Sequence, residues 1–245
     1  MSEANRNYTF EGRDFTLPCV VRHASAGAAT FLVSAEAARR LLPGPEIDVA
    51  ELLPGRALAV IAIIDYKDND LGDYDEVSIA FFVRPRGDRP AIPWLGNWID
   101  LMRGRLAVYI HHLPVNQSFT CEAGCTIWGY PKTVQEIEFT YPPERASCRL
   151  VYDGEHALTL SLPRGGKRTM PESEMTNYSY IEGVAHLNVA SQGAEGFGVK
   201  LGGAELTLGT GPLADELRGL GLPRRALMST WMERMYGSFG PSRKL

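Results

Sequence analysis

The sequence has no long apolar run. Its longest, ALAVIAII at 57–64, lies between Arg56 and Asp65, whereas a helix needs about 20 apolar residues to cross a bilayer. The first residues, MSEANRNYTFEGRDF, are polar and lack the charged start and apolar stretch of a secretory signal. We therefore expect a cytoplasmic protein that does not bind a membrane.

Cysteine and basic charge are also scarce. The four cysteines, Cys19, Cys121, Cys125 and Cys148, are too few in 245 residues for a disulfide framework, as expected in a reducing compartment. The net charge is -4 and the isoelectric point is near 5.8, so the chain has no overall basic field to bind nucleic acid or an anionic membrane. Any anionic substrate must be bound by local groups.

Extended segments dominate the chain. Stretches rich in β-branched and aromatic residues, separated by Gly, Pro and Asp, predict strands at 56–66, 76–83, 105–113, 134–141, 146–153 and 156–163. Apolar and polar residues tend to alternate in the last four, which is typical of antiparallel strands with one solvent-facing side.

Few segments predict helices. One helix is predicted at 35–42, after the candidate cap Ser34, and another at 211–221, with Pro212 in its first turn, while 116–125 is ambiguous. Neither a repeat nor a low-complexity linker divides the chain. The sequence therefore predicts one mainly β (α+β) domain over 1–245, an antiparallel sheet or barrel with a few peripheral helices.

Lys132 ends the mostly apolar stretch IWGYPK at 127–132. An amine attacks a carbonyl only when neutral, and at an ordinary lysine pKa of about 10.4 fewer than about one lysine in a thousand is neutral at pH 7. Lowering the lysine pKa from about 10.4 to about 7 takes roughly 4 to 5 kcal/mol of destabilisation of the ammonium, which burial in an apolar pocket can supply. From these residues alone, a lysine in a surface turn is the commoner outcome, and both readings stay open.

Three ordered segments resemble the acetoacetate decarboxylase family. Tyr130, Pro131 and Lys132 are similar to its active-site stretch, whose lysine forms a Schiff base with a 3-oxo acid. LGDYDE at 71–76 resembles the family's Leu-Gly-x-Tyr-x-Glu segment, with Glu76 at the position of an active-site carboxylate, and LLPGPEID at 41–48 also has a counterpart. The resemblance covers roughly residues 30 to 140. It implies the barrel-like acetoacetate decarboxylase fold, a homo-oligomer, and a site without metal or cofactor.

The resemblance also implies a lyase chemistry. Lys132 would form an iminium with a small oxo acid, and Glu76 would act as acid, base or electrostatic orienter. A 3-oxo acid would then lose carbon dioxide. A 2-oxo acid such as pyruvate would instead give an enamine that attacks an aldehyde, which makes an aldolase or aldolase-dehydratase the alternative. A non-catalytic small-molecule binding protein on the same scaffold is the third possibility.

The sequence departs from the family at three positions. Thr133 follows the lysine where the well-known decarboxylases have a second lysine, whose charge has been invoked to activate the first. An upstream glutamate of the family is matched by an apolar residue at about Ile61, and an expected arginine has no clear match at residues 23–27. These departures leave the substrate unassigned.

Further substrate contacts are predicted from Tyr130, Trp128 and Glu122. Glu122 lies ten residues before Lys132, and an exposed carboxylate on a helix is an equally good interpretation. Tyr130 adjoins Lys132, although the alternation of a strand would turn the two side chains apart.

A histidine pair and a cysteine pair raise the question of a zinc site. His111 and His112 precede Cys121 and Cys125, but no second Cys or His pair follows at zinc-ribbon spacing. We expect instead that the thiols pack beside the pocket and that one histidine lies on each face of a strand.

Arginines are densest between residues 84 and 105. One of them could meet a substrate carboxylate, but most are expected to be solvated loop charges. The cluster comprises Arg84, Arg86, Arg89, Arg103 and Arg105.

Overall fold

The computed structural model describes residues 7–245. The helices in this range are α1 (Ala35–Arg40), α2 (Leu95–Met102), α3 (Ser118–Trp128) and α4 (Pro212–Gly219). The strands are β1 (Asn7–Phe10), β2 (Arg13–Thr16), β3 (Cys19–Ser34), β4 (Ile47–Val49), β5 (Glu51–Leu53), β6 (Arg56–Asn69), β7 (Tyr74–Pro85), β8 (Ala107–Val115), β9 (Lys132–Val134), β10 (Glu136–Thr140), β11 (Arg145–Tyr152), β12 (Glu155–Pro163), β13 (Arg168–Ile181), β14 (Val184–Leu201), β15 (Glu205–Leu208), β16 (Met228–Phe239) and β17 (Arg243–Lys244). None of these helices has the length and hydropathy of a membrane span.

Seven strands form a closed barrel. They are hydrogen-bonded in the order β7-β6-β3-β16-β14-β13-β8, and β8 pairs back with β7 to close the ring. The pairings in the ring are antiparallel except between β13 and β8. The predicted mainly β, barrel-like fold with few helices is therefore confirmed.

The barrel wall has a core on each side. On the outside, Ile61 and Ile63 of β6 share an outer core with Leu158 and Leu160 of the separate sheet β10-β11-β12-β15. On the inside, the alternate residues of the same strand belong to an inner core, which α3 and the β1-β2 hairpin also join. Ile61 faces the outer core, so the apolar residue matched to the family's upstream glutamate lies outside the barrel.

Most predicted segments are present, with shifted ends. The predicted strand 134–141 is two strands, since residues 132–134 pair with β8 and residues 136–140 pair with β11. The predicted helices are α1 and α4, and the ambiguous segment is α3.

Four long strands were not predicted, namely β3, β13, β14 and β16, and β14 with 18 residues is the longest of them. The 16 residues of β3 include the run ASAGAAT. These small residues have little strand propensity but permit close packing. A Cβ placed on Gly27 would lie 2.6 Å from Leu162 and 2.7 Å from Trp231. Close packing of the barrel against the second sheet therefore requires small residues in β3, and their low strand propensity is why this strand was not predicted.

A β-bulge in β8 changes the direction of its side chains. His112 pairs with Ile79 and Ile110 pairs with Ala80, so His111 is the extra residue. Both histidines therefore contact Glu216 of α4, and the expectation of one histidine on each strand face is wrong. Beyond the bulge, Leu113 faces the inner core.

Candidate active site

Lys132 is held inside the barrel by the end of α3. Gly129 ends this helix in the left-handed conformation, with φ at 65°, and the chain turns through Tyr130 and Pro131 into β9. There Lys132 pairs with Leu113 of β8. The lysine stem crosses Gly124 of α3 so closely that a Cβ on that glycine would lie 2.5 Å from Lys132 Cδ. The side chain is only 4% exposed, which excludes the surface-turn alternative.

Glu76 reaches the lysine from the other side of β8, which pairs with both β7 and β9. It lies on β7, and its Oε2 is 2.9 Å from Lys132 Nζ, with the glutamate side chain 8% exposed. Burial disfavours both charges, while each charge stabilises the other. The distance is that of a hydrogen bond along which a proton can move.

Tyrosine rings surround this pair. Tyr74 lies two residues before Glu76 on the same face of β7, with its ring centroid 5.0 Å from Lys132 Nζ. Tyr66 of β6 stacks on Tyr74 at 4.5 Å between centroids. Burial, followed by nearby negative groups including Glu76, raises the pKa of both phenols well above 10. They are therefore neutral at physiological pH, and Tyr74 offers its ring to a cation on Nζ.

Tyr130 is brought into the same cluster. It lies in the turn before β9 rather than in the strand, and so the expected alternation with Lys132 does not apply. Its ring is 5% exposed, and its hydroxyl is buried without a hydrogen-bond partner among residues 7–245. Burial, and then the charge of Glu76, raise the pKa of this phenol, and the nearby Asn177 side chain lowers it by a smaller amount without reaching hydrogen-bond geometry. An unpartnered buried hydroxyl is available to a ligand.

Trp128 and Glu122 have other surroundings. Trp128 is buried behind Tyr130, with the rings stacked at 6.0 Å, and its indole N–H donates to the Gly240 carbonyl at 2.7 Å. It supports the tyrosine but has no free polar atom for a substrate. Glu122 is exposed on α3, away from the buried helix face that contains Ala123 and Gly124. The structure therefore brings together Lys132, Glu76 and Tyr130, and leaves Glu122 apart.

The thiols pack near the lysine, as expected. Cys125 donates to the Lys132 carbonyl at 3.5 Å. Burial, and then the neighbouring Cys125, raise the pKa of Cys121 to about 11, and burial raises that of Cys19 to about 12. All four cysteines are free. The Cys19 and Cys121 thiols are therefore protonated at neutral pH and form part of the wall near the lysine.

The arginine cluster lies elsewhere. Arg84, 12% exposed, pairs with Asp88 at 2.9 Å and also with Asp100, and it donates to Asn97 at 2.6 Å. It anchors α2, so it is not a solvated loop charge. The other four arginines are exposed. Lys132 is the one buried Lys or Arg side chain in the described part of the chain.

Tyr66 and Tyr74 were not predicted as site residues. Tyr74 could have been predicted from the sequence. It lies in LGDYDE two positions before Glu76, so the two side chains must share a face in a strand. Tyr66 requires knowledge of the register, since it pairs with Tyr74 across the β6-β7 hairpin.

The sequence model of a known family, acetoacetate decarboxylase, matches residues 14–240. The chain belongs to the acetoacetate decarboxylase family. No curated protein sequence matches it significantly.

Solved structures share this fold at low sequence identity. An acetoacetate decarboxylase from Legionella pneumophila subsp. pneumophila str. Philadelphia 1 is 13% identical, with a TM-score of 0.64, over 93% of this chain and 87% of that one. The enduracididine biosynthesis enzyme MppR complexed with pyruvate is 17% identical, with a TM-score of 0.61, over 98% of both chains. An acetoacetate decarboxylase-like enzyme from Sphingomonas wittichii RW1 is 14% identical, with a TM-score of 0.51, over 92% of this chain and 93% of that one. These likenesses support the family fold and do not choose among its reactions.

Proposed function

We propose that this protein is a Schiff-base lyase that decarboxylates a small 3-oxo acid through Lys132. The supporting observation is the amine of Lys132 inside the barrel, 2.9 Å from the Glu76 carboxylate, with both side chains less than a tenth exposed. A lysine is seldom buried without a function that needs it.

Glu76 is placed to manage the protons of imine formation. Transfer of a proton from Lys132 Nζ to the carboxylate, 2.9 Å away, would give the neutral amine that attack on a ketone requires. The neutral amine attacks the ketone carbon, and the carbinolamine oxygen leaves as water with the proton returned by Glu76. The product is an iminium.

Decarboxylation follows from the electron demand of that iminium. The bond between the α carbon and the carboxylate breaks, its electrons form an enamine, and carbon dioxide leaves. Protonation of the enamine carbon restores the iminium, and water hydrolyses it to a ketone and free Lys132. The Tyr74 ring, 5.0 Å from Nζ, stabilises the positive nitrogen at each stage where it exists.

Tyr130 is proposed to orient the substrate. Its hydroxyl is buried two residues before Lys132 and has no hydrogen-bond partner in the described chain. A substrate oxygen would satisfy it, and Trp128 would hold the ring in place by stacking.

An aldolase or aldolase-dehydratase acting on a 2-oxo acid is the second candidate. Two observations favour it: Thr133 follows the lysine, and the likeness to MppR, solved with pyruvate, extends over 98% of both chains. The same Lys132 iminium would lose a methyl proton to Glu76 and attack an aldehyde as an enamine.

Reductive trapping tests the imine. The protein is treated with borohydride and either acetoacetate or pyruvate, and its intact mass is compared with that of Lys132→Ala and of a matched control, Lys67→Ala, which removes a half-exposed lysine. We expect one adduct that is lost only in Lys132→Ala.

The mass of the adduct and the release of carbon dioxide distinguish the two reactions. An isopropyl-sized adduct with carbon dioxide release from acetoacetate supports the decarboxylase. A carboxyethyl-sized adduct from pyruvate alone, without carbon dioxide release, supports the aldolase. Equal adducts in the wild type and Lys132→Ala, or none with either acid, would contradict imine chemistry at Lys132 and favour a binding protein.

A further inference from the structure

A second cluster of chemically active side chains lies outside the barrel. His111 Nε2 and His112 Nε2 are 3.0 Å and 2.9 Å from the same atom, Glu216 Oε1. The three side chains are 14%, 22% and 28% exposed, so they are sheltered but can be reached from solvent. Their three ligand atoms lie within 4.8 Å of one another.

The backbone aims these groups at one point. Adjacent strand residues ordinarily face opposite sides, but the bulge at His111 turns both imidazoles outward. The opposing carboxylate comes from α4, about a hundred residues later in the chain. A simple pair of hydrogen bonds would be satisfied by the two separate oxygens of Glu216, whereas both rings converge on one.

Aromatic rings border the cluster. The ring of Phe81 lies 5.8 Å from that of His111, and the ring of Tyr152 lies 6.0 Å from that of His112.

We propose that His111, His112 and Glu216 bind one divalent transition-metal ion of the zinc type through two imidazole nitrogens and one carboxylate oxygen. Two imidazoles and a carboxylate are ligands that zinc and its neighbours in the first transition row prefer. Bonds of about 2.0 to 2.1 Å at tetrahedral angles require ligand atoms about 3.3 Å apart. The two histidine–glutamate distances, 2.9 and 3.0 Å, therefore need to widen by only a few tenths of an ångström, and the two imidazole nitrogens already lie within 4.8 Å of each other.

The ion would join two parts of the fold. It would tie α4 to β8, and the residue after His112 is Leu113, which pairs with Lys132 on the neighbouring strand. The site lies on the opposite face of β8 from the barrel interior, so the ion would stabilise the wall that holds the lysine without touching a substrate. This proposal does not depend on the reaction at Lys132.

Metal titration tests the site. The protein is freed of metal with a chelator and titrated with Zn²⁺ by calorimetry, and with Co²⁺ by visible absorption, at pH 7.5. We expect one equivalent, with affinity reduced at least about tenfold in His112→Gln and in Glu216→Gln. His156→Gln, which changes a half-buried histidine bonded to Thr159, should bind as the wild type does. The double variant Cys121→Ser/Cys125→Ser should also bind normally, which separates this site from the thiols.

Measurements on the wild type keep the proposal testable even if a variant does not fold. Zn²⁺ should shift the imidazole ¹⁵N resonances of two of the five histidines and raise Tm. The proposal is overturned if the wild type shows no saturable binding up to millimolar Zn²⁺, if folded His112→Gln and Glu216→Gln bind as tightly as the wild type, or if the shifted resonances belong to other histidines.

Discussion

Removing one charge of the Lys132–Glu76 pair should destabilise the fold far more than removing both. The charged atoms are 2.9 Å apart, and the side chains are 4% and 8% exposed. The variants Glu76→Gln and Lys132→Met keep most of the side-chain volume, so differences in the free energy of unfolding report charge rather than a cavity.

The magnitude follows from distance and burial. At an effective dielectric constant of about 20, unit charges 2.9 Å apart attract by about 6 kcal/mol. Desolvation of the two groups offsets much of this attraction, so the intact pair adds little net stability. Either single variant leaves a buried charge without its partner and should cost about 3 to 5 kcal/mol. The double variant leaves neither, and we expect it to lie within about 1.5 kcal/mol of the wild type.

Urea unfolding at pH 7 gives the four free energies of this cycle. The expected coupling, the sum of the two single costs minus that of the double variant, is at least about 4.5 kcal/mol. A matched cycle on the exposed pair Glu36–Arg40, 2.6 Å apart with side chains 80% and 66% exposed, should give no more than about 0.5 kcal/mol. If the Lys132–Glu76 cycle is additive within about 0.5 kcal/mol, the two groups do not interact in the folded protein and the reasoning fails.

Three further predictions concern single residues of the site and its wall. Gly124→Ala places a Cβ 2.5 Å from the Lys132 stem and should displace the amine, which reduces imine trapping at least about tenfold. The circular dichroism spectrum should change little, because the flexible lysine stem can move aside. Unchanged trapping would refute the contact. Tyr130→Phe removes a hydroxyl without a protein partner, so stability should change by less than about 0.5 kcal/mol while KM for the proposed oxo acid rises several-fold; a large stability loss would contradict this. Burial, followed by neighbouring carboxylates, raises the pKa of Asp75 from 3.8 to about 7, so the folded state holds a proton that the unfolded chain has lost and its stability falls as pH rises between those values. Asp75→Asn should therefore gain about 1 to 2 kcal/mol at pH 8 and little at pH 4 in urea unfolding, and an equal effect at both would count against the shift.

The sequence predicted the parts of the site that local order determines. Tyr130, Pro131 and Lys132 follow one another in the chain, and Glu76 ends a short motif, so a resemblance is enough to find them. Tyr66 could not be found in this way, because its contact with Tyr74 exists only in the register of β6 with β7. The convergence of the site depends on the pairing of the neighbouring strands β6, β7, β8 and β9 rather than on spacing along the chain.

The fold was predictable where strands follow the alternation of apolar and polar residues, and not where close packing or a bulge overrides it. In β3, Gly27 is needed for contact with Trp231 but lowers strand propensity. In β8, alternation assigned His111 and His112 to opposite faces, whereas one extra residue puts both on Glu216. The alternation of apolar and polar residues does not reveal a bulge, because the bulge shifts by one residue the face to which each later side chain points.

The strand geometry shows that the side chain after Lys132, that of Thr133, does not point into the pocket. Lys132 pairs with Leu113 of the inner core, whereas Thr133 is the next residue of β9 and so points to the opposite face, where its hydroxyl is buried without a partner in the described chain. A cation at position 133 would act on the Lys132 amine through the strand rather than across the pocket. The groups that share the interior with Nζ are the Tyr74 ring and the Glu76 carboxylate, within a shell of apolar and neutral side chains. The proposed chemistry at Lys132 therefore relies on its buried position beside Glu76, and the substitution of Thr133 for lysine does not by itself argue against it.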